Sequence, residues 1–174
     1  MTNIKIGICG RSSCGKTTIS NRLVRDLGME VKVVSLDDFF RKTGVKYRGI
    51  ENWDRPDSVD FDQFRKYLLL EKEKLVLAEG FLLFVLPDIS DIFDYRIFIN
   101  IDSPTIFERR LLRKDKLGYL DPDYIRDVVI AESKKHEELQ RSVSDIVING
   151  DRNLEVVYQD VLSSITNFLE AKGV

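Results

Sequence analysis

The chain has 174 residues, 43% of them hydrophobic, enough to bury one sizeable core and too few to suggest two. Its 27 Lys and Arg nearly cancel 29 Asp and Glu, and the net charge of −2 lacks the basic excess of a nucleic-acid binder. No apolar run exceeds Gly80 to Leu86, no targeting pattern precedes Ile4, and Cys9 and Cys14 are the only cysteines, which argues against a membrane span, secretion, and a disulfide or zinc framework; a cytoplasmic protein read as one domain, 1–174, is expected.

In chain order, Ile4 to Cys9 reads as a strand, and Thr17 to Leu27 carries apolar residues at helical spacing with Gly28 as its stop. Between them lies Gly10-Arg11-Ser12-Ser13-Cys14-Gly15-Lys16-Thr17, the pattern G-x-x-x-x-G-K-[ST]. Glycines let such a loop curl until successive N–H groups face a β-phosphate, and the helix N-terminus adds positive partial charge. Lys16 then reaches the β- and γ-phosphates and Thr17 offers its hydroxyl to Mg²⁺. Gly10, Ser12, Ser13, Cys14, Gly15, Lys16, Thr17 and Thr18 are the candidate contacts to a nucleoside triphosphate, expected to be ATP with Mg²⁺.

Val31 to Leu36 is a second strand, running into Asp37-Asp38-Phe39-Phe40, and Lys74 to Ala78 is a third, ending at Glu79-Gly80. Ligands of an open parallel sheet sit outside the carboxyl ends of its strands. Asp37 therefore suits a general base for an acceptor hydroxyl, and Glu79 suits a carboxylate holding Mg²⁺; a helix cap for the Asp37-Asp38 pair and a solvated strand end for Glu79 are the bland alternatives. Arg41 to Pro56 shows no period and is expected as a surface loop over the strand ends. It holds the only tryptophan: Trp53 and Asp54 either form a nucleoside site, ring on base and carboxylate on sugar hydroxyls, or a core plug beside a solvated acid.

Ser58 to Glu71 is predicted helical with Ser58 as N-cap, followed after the third strand by a strand at Arg96 to Ile101 and a helix from Pro104 to Lys114. That helix carries Arg109, Arg110, Arg113 and Lys114, either cations that close over a transferring phosphoryl group or a solvated face. A helix from Pro122 to Arg141, a fifth strand at Asp145 to Ile148 and a helix from Leu154 to Ala171 complete a parallel α/β alternation. The lone His136, within Lys134-Lys135-His136-Glu137-Glu138, reads as a surface residue.

Taken together, these residues resemble the nicotinamide riboside kinases, within the uridine kinase and phosphoribulokinase group of P-loop kinases. The likeness rests on the phosphate loop through Thr18, Asp37-Asp38-Phe39-Phe40, Asn52-Trp53-Asp54-Arg55-Pro56 with Asp60-Phe61, Glu79-Gly80-Phe81-Leu82-Leu83-Phe84, Arg109 to Arg113, and Asp121-Pro122-Asp123-Tyr124, and it fades after Ser133. It implies a P-loop NTPase three-layer sandwich with a five-stranded parallel sheet and a helical lid over about 104–124, and ATP-dependent phosphorylation of the ribose 5′-hydroxyl of nicotinamide riboside. By the same resemblance Asp37 is the base, Thr17 and Glu79 position Mg²⁺, Arg110 and Arg113 come from the lid, Phe40 and Trp53 pack on the base, and Asp54 and Asp123 hold substrate hydroxyls. Asn149-Gly150-Asp151-Arg152 stands where related kinases border the adenine. Uridine kinases carry a β-hairpin between the helix ending here near Glu71 and the strand at Leu75; its absence argues against uridine and marks a trimmed member of the group. Uridine, cytidine or another small hydroxyl compound remains the neighbouring reading of the acceptor. A nucleotide-binding regulatory switch is the alternative of another class, against which the chain lacks an Asn-Lys-x-Asp guanine signature. No nucleic-acid or membrane partner is expected.

Overall fold

A computed structural model describes residues 3–112 and 121–174. Short β-branched and apolar runs form β1 (Ile4–Gly10), β2 (Val31–Ser35), β3 (Leu75–Gly80), β4 (Tyr95–Asn100) and β5 (Ile146–Asn149), all parallel and ordered β2-β3-β1-β4-β5. The longer helices are α1 (Lys16–Asp26), α2 (Phe61–Leu70), α3 (Ser103–Leu112), α4 and α5 (Leu154–Lys172). α4 runs on through three pieces: Pro122–Tyr124, a π-helical stretch Ile125–Ile130, and Ala131–Ser142.

The alternation of side chains along each strand sorts the core into two layers. Ile4, Ile6 and Ile8 of β1 and Leu75 and Leu77 of β3 face Ile19 and Leu23 of α1, Ile125 and Val129 of α4 and Val161 and Ile165 of α5. Cys9, Val76 and Ala78 point to the other face, against Leu36, Phe39, Phe64 and Leu68. Helices thus cover both faces of the sheet, the three-layer arrangement expected from the alternation of elements. No helix among the described residues is long and apolar enough to cross a membrane.

Two local expectations are corrected. α2 starts at Phe61, where Asp60 accepts from the Gln63 N–H at 3.0 Å, whereas Ser58 is buried, its hydroxyl 2.7 Å from the carbonyl of Trp53. Asp60 wins because it directly precedes the first helical residue, within reach of the first free N–H groups, whereas Ser58 lies two residues further back. Arg41 to Pro56 is also not all loop: Lys46–Tyr47 pairs antiparallel with Ile50–Glu51 about a turn at Arg48 (φ 48°) and Gly49 (φ 86°), the double positive φ of a tight hairpin. Buried Glu51 caps the loop behind it, accepting from the N–H groups of Thr43 (2.7 Å) and Gly44 (2.8 Å). The helix stop at Gly28 is present, with φ 64° directly after α1 and its cap Leu27.

Candidate active site

The phosphate loop springs from the central strand of the sheet and feeds α1. Its curvature depends on residues without a side chain. A Cβ at Gly10 would lie 2.5 Å from the Ile99 carbonyl oxygen, and Gly15 (φ 95°) would drive one to 2.9 Å from Leu154. Lys16 spans the loop from inside, its Nζ donating to the carbonyls of Gly10 (2.8 Å) and Arg11 (3.0 Å) and lying 3.5 Å from Cys14 Sγ. Burial works against the ammonium, but Cys14, Glu79, Cys9 and Asp37 around it prevail and hold its pKa above the ordinary value.

The ends of the neighbouring strands meet this loop. In the sheet register Glu79 of β3 lies abreast of both Ile8 and Ser35. One carboxylate oxygen, in a side chain only 4% exposed, accepts from Thr17 Oγ1 at 3.2 Å and from Ser35 Oγ at 2.7 Å. Sequence reasoning assigns no role to Ser35; only strand pairing brings it beside Glu79. The set of hydroxyl and carboxylate oxygens suits Mg²⁺, which takes few protein ligands and completes its shell with water and phosphate oxygens. Among the described residues no group of three or more His, Cys, Asp and Glu could hold a metal alone. An ion here would therefore depend on the oxygens of a bound triphosphate.

A cavity of about 630 Å³ continues from the phosphate loop toward the loop over the strand ends. Its floor is Ser12, Ser13, Gly15, Lys16, Thr17 and Thr18; Asp37, Asp54 and Glu79 supply carboxylates; Phe40, Trp53, Phe81 and Tyr124 supply rings; Arg109 and Arg110 close one side. Gly10 and Cys14 lie behind the floor, Cys14 buried with its N–H turned toward the Arg11 carbonyl. Asp37 stands exposed on the single turn Leu36–Phe39, which β2 enters through Ser35. Phe40 has its ring centroid 5.9 Å from those of both Trp53 and Phe81, tilted 49° and 42°. Trp53 is thus at the cavity and not a plug in the core. Asp54 follows it, and burial, helped by nearby Glu132 and Asp37 and opposed by Arg110, pushes its pKa up to about 6.

Arg110 reaches the Ser12 hydroxyl at 3.5 Å, and its buried Nε has no partner among the described residues. Arg109, assigned to the lid face by sequence but to no site, donates to the carbonyls of Ser13 (3.3 Å), Gly150 (3.0 Å) and Arg152 (3.5 Å). It thereby ties the phosphate loop to the 149–152 segment. Arg113 and Lys114 fall outside the described residues. Asp123 is not brought to the cavity: it pairs with Arg48 at 2.6 Å and with Arg126, because the hairpin extends its own arginine onto α4. The next residue, Tyr124, lines the cavity instead and donates to the Glu51 carbonyl at 3.0 Å. His136 is half-buried on α4, away from the cavity, with its pKa lowered by burial.

No protein-family model matches the chain. Over 200 aligned positions it is 26% identical to a uridine kinase of Chlamydia pneumoniae, covering 95% of this chain and 90% of that one. It is likewise 26% identical to a nicotinamide riboside kinase of Saccharomyces cerevisiae, over 85% of this chain and 80% of the relative. Among solved structures, shikimate kinase from Acinetobacter baumannii in complex with shikimate superposes with a TM-score of 0.65 at 20% identity, covering 98% of this chain and 95% of that one. A possible uridine kinase from Bacillus stearothermophilus gives 0.53 at 19%, covering 86% and 90%. The fold is that of the P-loop kinases.

Proposed function

We propose that this chain, a P-loop small-molecule kinase similar to uridine and nicotinamide riboside kinases, transfers the γ-phosphoryl group of ATP to the 5′-hydroxyl of a ribosyl nucleoside, with nicotinamide riboside as the first acceptor. One observation carries this reading: a single cavity joins the phosphate loop, through Asp37, to an aromatic recess with Asp54 at its edge. Phe40, Trp53 and Phe81 offer ring faces to a base, and a positively charged pyridinium gains from such faces beyond its area of contact. Asp54 accepts from ribose hydroxyls. Asp37 accepts the proton of the attacking hydroxyl, while Lys16 and Arg110 hold charge that spreads over the transferring phosphoryl oxygens. Arg113 joins them in this reading, in a lid over about 104–124 of one kinase domain spanning 1–174. Mg²⁺, held by Thr17 and Glu79 with Ser35 orienting the carboxylate, supplies charge neutralisation at the phosphates when bound. A reducing cytoplasm suits buried, unpaired Cys9 and Cys14, the former with burial lifting its thiol to about 12.

A uridine or cytidine acceptor is the second reading, favoured by the uridine kinases among the relatives. Against it stands the direct link Glu71 to Lys74 between α2 and β3, with no hairpin to read a pyrimidine edge. ADP release with ATP and Mg²⁺, measured with nicotinamide riboside, uridine, cytidine and no acceptor, is expected to rise strongly with nicotinamide riboside alone. A larger rate with a pyrimidine nucleoside moves the acceptor assignment, and turnover indifferent to any acceptor favours the regulatory switch.

Asp54 carries its own test. Its native carboxyl keeps a proton up to about 6, well above the usual carboxylate value, so it favours the folded state fully at low pH and that contribution is lost as pH rises through about 6. Asp54→Asn is therefore expected to raise the melting temperature at pH 7, with the gain vanishing near pH 4, and to raise the KM for the acceptor about 10- to 100-fold, as loss of a charge-assisted hydrogen bond does. Thermal unfolding at the two pH values and acceptor titrations check the pair of effects. An unchanged KM would remove Asp54 from the acceptor site.

A further inference from the structure

The phosphate-loop pattern leaves the residue after its first glycine open, and here it is Arg11, a cation only 4% exposed. Every arm of its guanidinium is engaged. Nε donates to Ser133 Oγ, Nη1 to the Ile101 carbonyl and Nη2 to Ser103 Oγ, each at 3.1 Å, and Glu137 stands 3.4 Å from Nη1. Ser103 is the first residue of α3, Ser133 and Glu137 lie on α4, and Ile101 follows β4. Ser133 in turn donates to Ile130, the last residue of the π-helical stretch. The backbone of the same arginine faces the other way, its carbonyl accepting from Lys16 Nζ.

Burying a guanidinium costs free energy that apolar packing of similar volume avoids, and buried ion pairs are weak contributors to stability. What such a residue supplies is geometry. We propose that Arg11 is a positioning residue for phosphoryl transfer: it locks the peptide that anchors Lys16, the root of the helix bearing Arg109 and Arg110, and α4 into one frame. Lys16 and Arg110 then address the same triphosphate at a fixed separation. This rests on the kinase reading of the cavity. Its contribution lies in alignment at the transition state, so loss should fall on kcat before nucleotide affinity.

The test uses the full chain and five variants, Arg11→Met, Arg11→Lys, Ser103→Ala, Glu137→Gln and the double variant Arg11→Met with Ser103→Ala, with ADP release, titration of a fluorescent ATP analogue and thermal unfolding. Arg11→Met is expected to lower kcat about 10- to 100-fold while the analogue binds within about threefold of wild type. Arg11→Lys should recover part of the rate. Ser103→Ala should lose about threefold alone and nothing further in the Arg11→Met background, since the two act through one contact. Should Arg11→Met fail to fold, the Ser103 and Glu137 variants decide, each removing one partner of the guanidinium. Wild-type kcat in a folded Arg11→Met protein, or in both single-contact variants, overturns the proposal. So does a loss that only follows the folded fraction. The same ratios are read on slow ATP hydrolysis without acceptor, so failure of the acceptor assignment leaves the Arg11 comparison intact.

Discussion

Replacing Asp37 with asparagine is expected to lower acceptor-dependent turnover about 10²- to 10⁴-fold while ATP affinity stays within about threefold of wild type. The substitution keeps the size of the side chain and its place in the turn Leu36–Phe39, entered through Ser35, so the backbone there has no reason to move. What changes is basicity: an amide oxygen cannot take up the proton of an attacking hydroxyl. The candidate groups for the triphosphate are separate from it, on the loop from Ser12 to Thr18. Steady-state ADP release and titration of a fluorescent ATP analogue give the two numbers. Parallel loss of both would recast Asp37 as a nucleotide or metal ligand.

Lys16→Met should cost more, about 10³-fold or beyond in kcat/KM, and here nucleotide affinity falls with it. Methionine nearly matches the length of lysine and suits a buried site, but it leaves the carbonyls of Gly10 and Arg11 without their donor and the β- and γ-phosphates without their cation. The two unmet carbonyls should also lower the melting temperature, so the rate is compared per folded protein. The two variants thus separate by nucleotide titration: affinity is kept in Asp37→Asn and lost in Lys16→Met. Retained ATP affinity in the lysine variant would remove Lys16 from the phosphate site.

The parts of this molecule that sequence reading reaches are those set by local rules. Strand, glycine loop and helix are adjacent in the chain, so β1, the phosphate loop and α1 follow from period and turn chemistry alone. Asp37 and Glu79 stand out as candidates because each closes an apolar run at the end of a strand where ligands bind, and the structure places both at the cavity. Arg11 and Arg109 carry no such mark. Their partners lie at Ser133, Glu137, Gly150 and Arg152, and no local pattern foretells which of many surface-type arginines is drawn inside. The hairpin at 46–51 escaped because its strands are two residues long and its turn is Arg-Gly instead of the usual Asn-Gly, leaving no alternation to count. The start of α2 is legible in principle: Asp60 with Gln63 three residues on is a capping signature, which a second capping residue type, Ser58, precedes. Asp123 shows the limit of resemblance, since in this chain it pairs with Arg48 and does not line the cavity.

The two halves of the cavity are fastened by different means. On the phosphate side the ties end on backbone carbonyls, buried at Lys16 and Arg11 and partly buried at Arg109. On the side of the hairpin one tie to α4 is buried, the Tyr124 hydroxyl donating to the Glu51 carbonyl at 3.0 Å, while two are exposed, Tyr47 to Asp127 at 2.6 Å and Arg48 to Asp123. Contacts of that kind are worth about 0–1 kcal/mol each and weaken in salt. The tip of the hairpin at Arg48 and Gly49 is therefore expected to lose protection from amide exchange as salt rises, while Glu51 and the phosphate loop keep theirs.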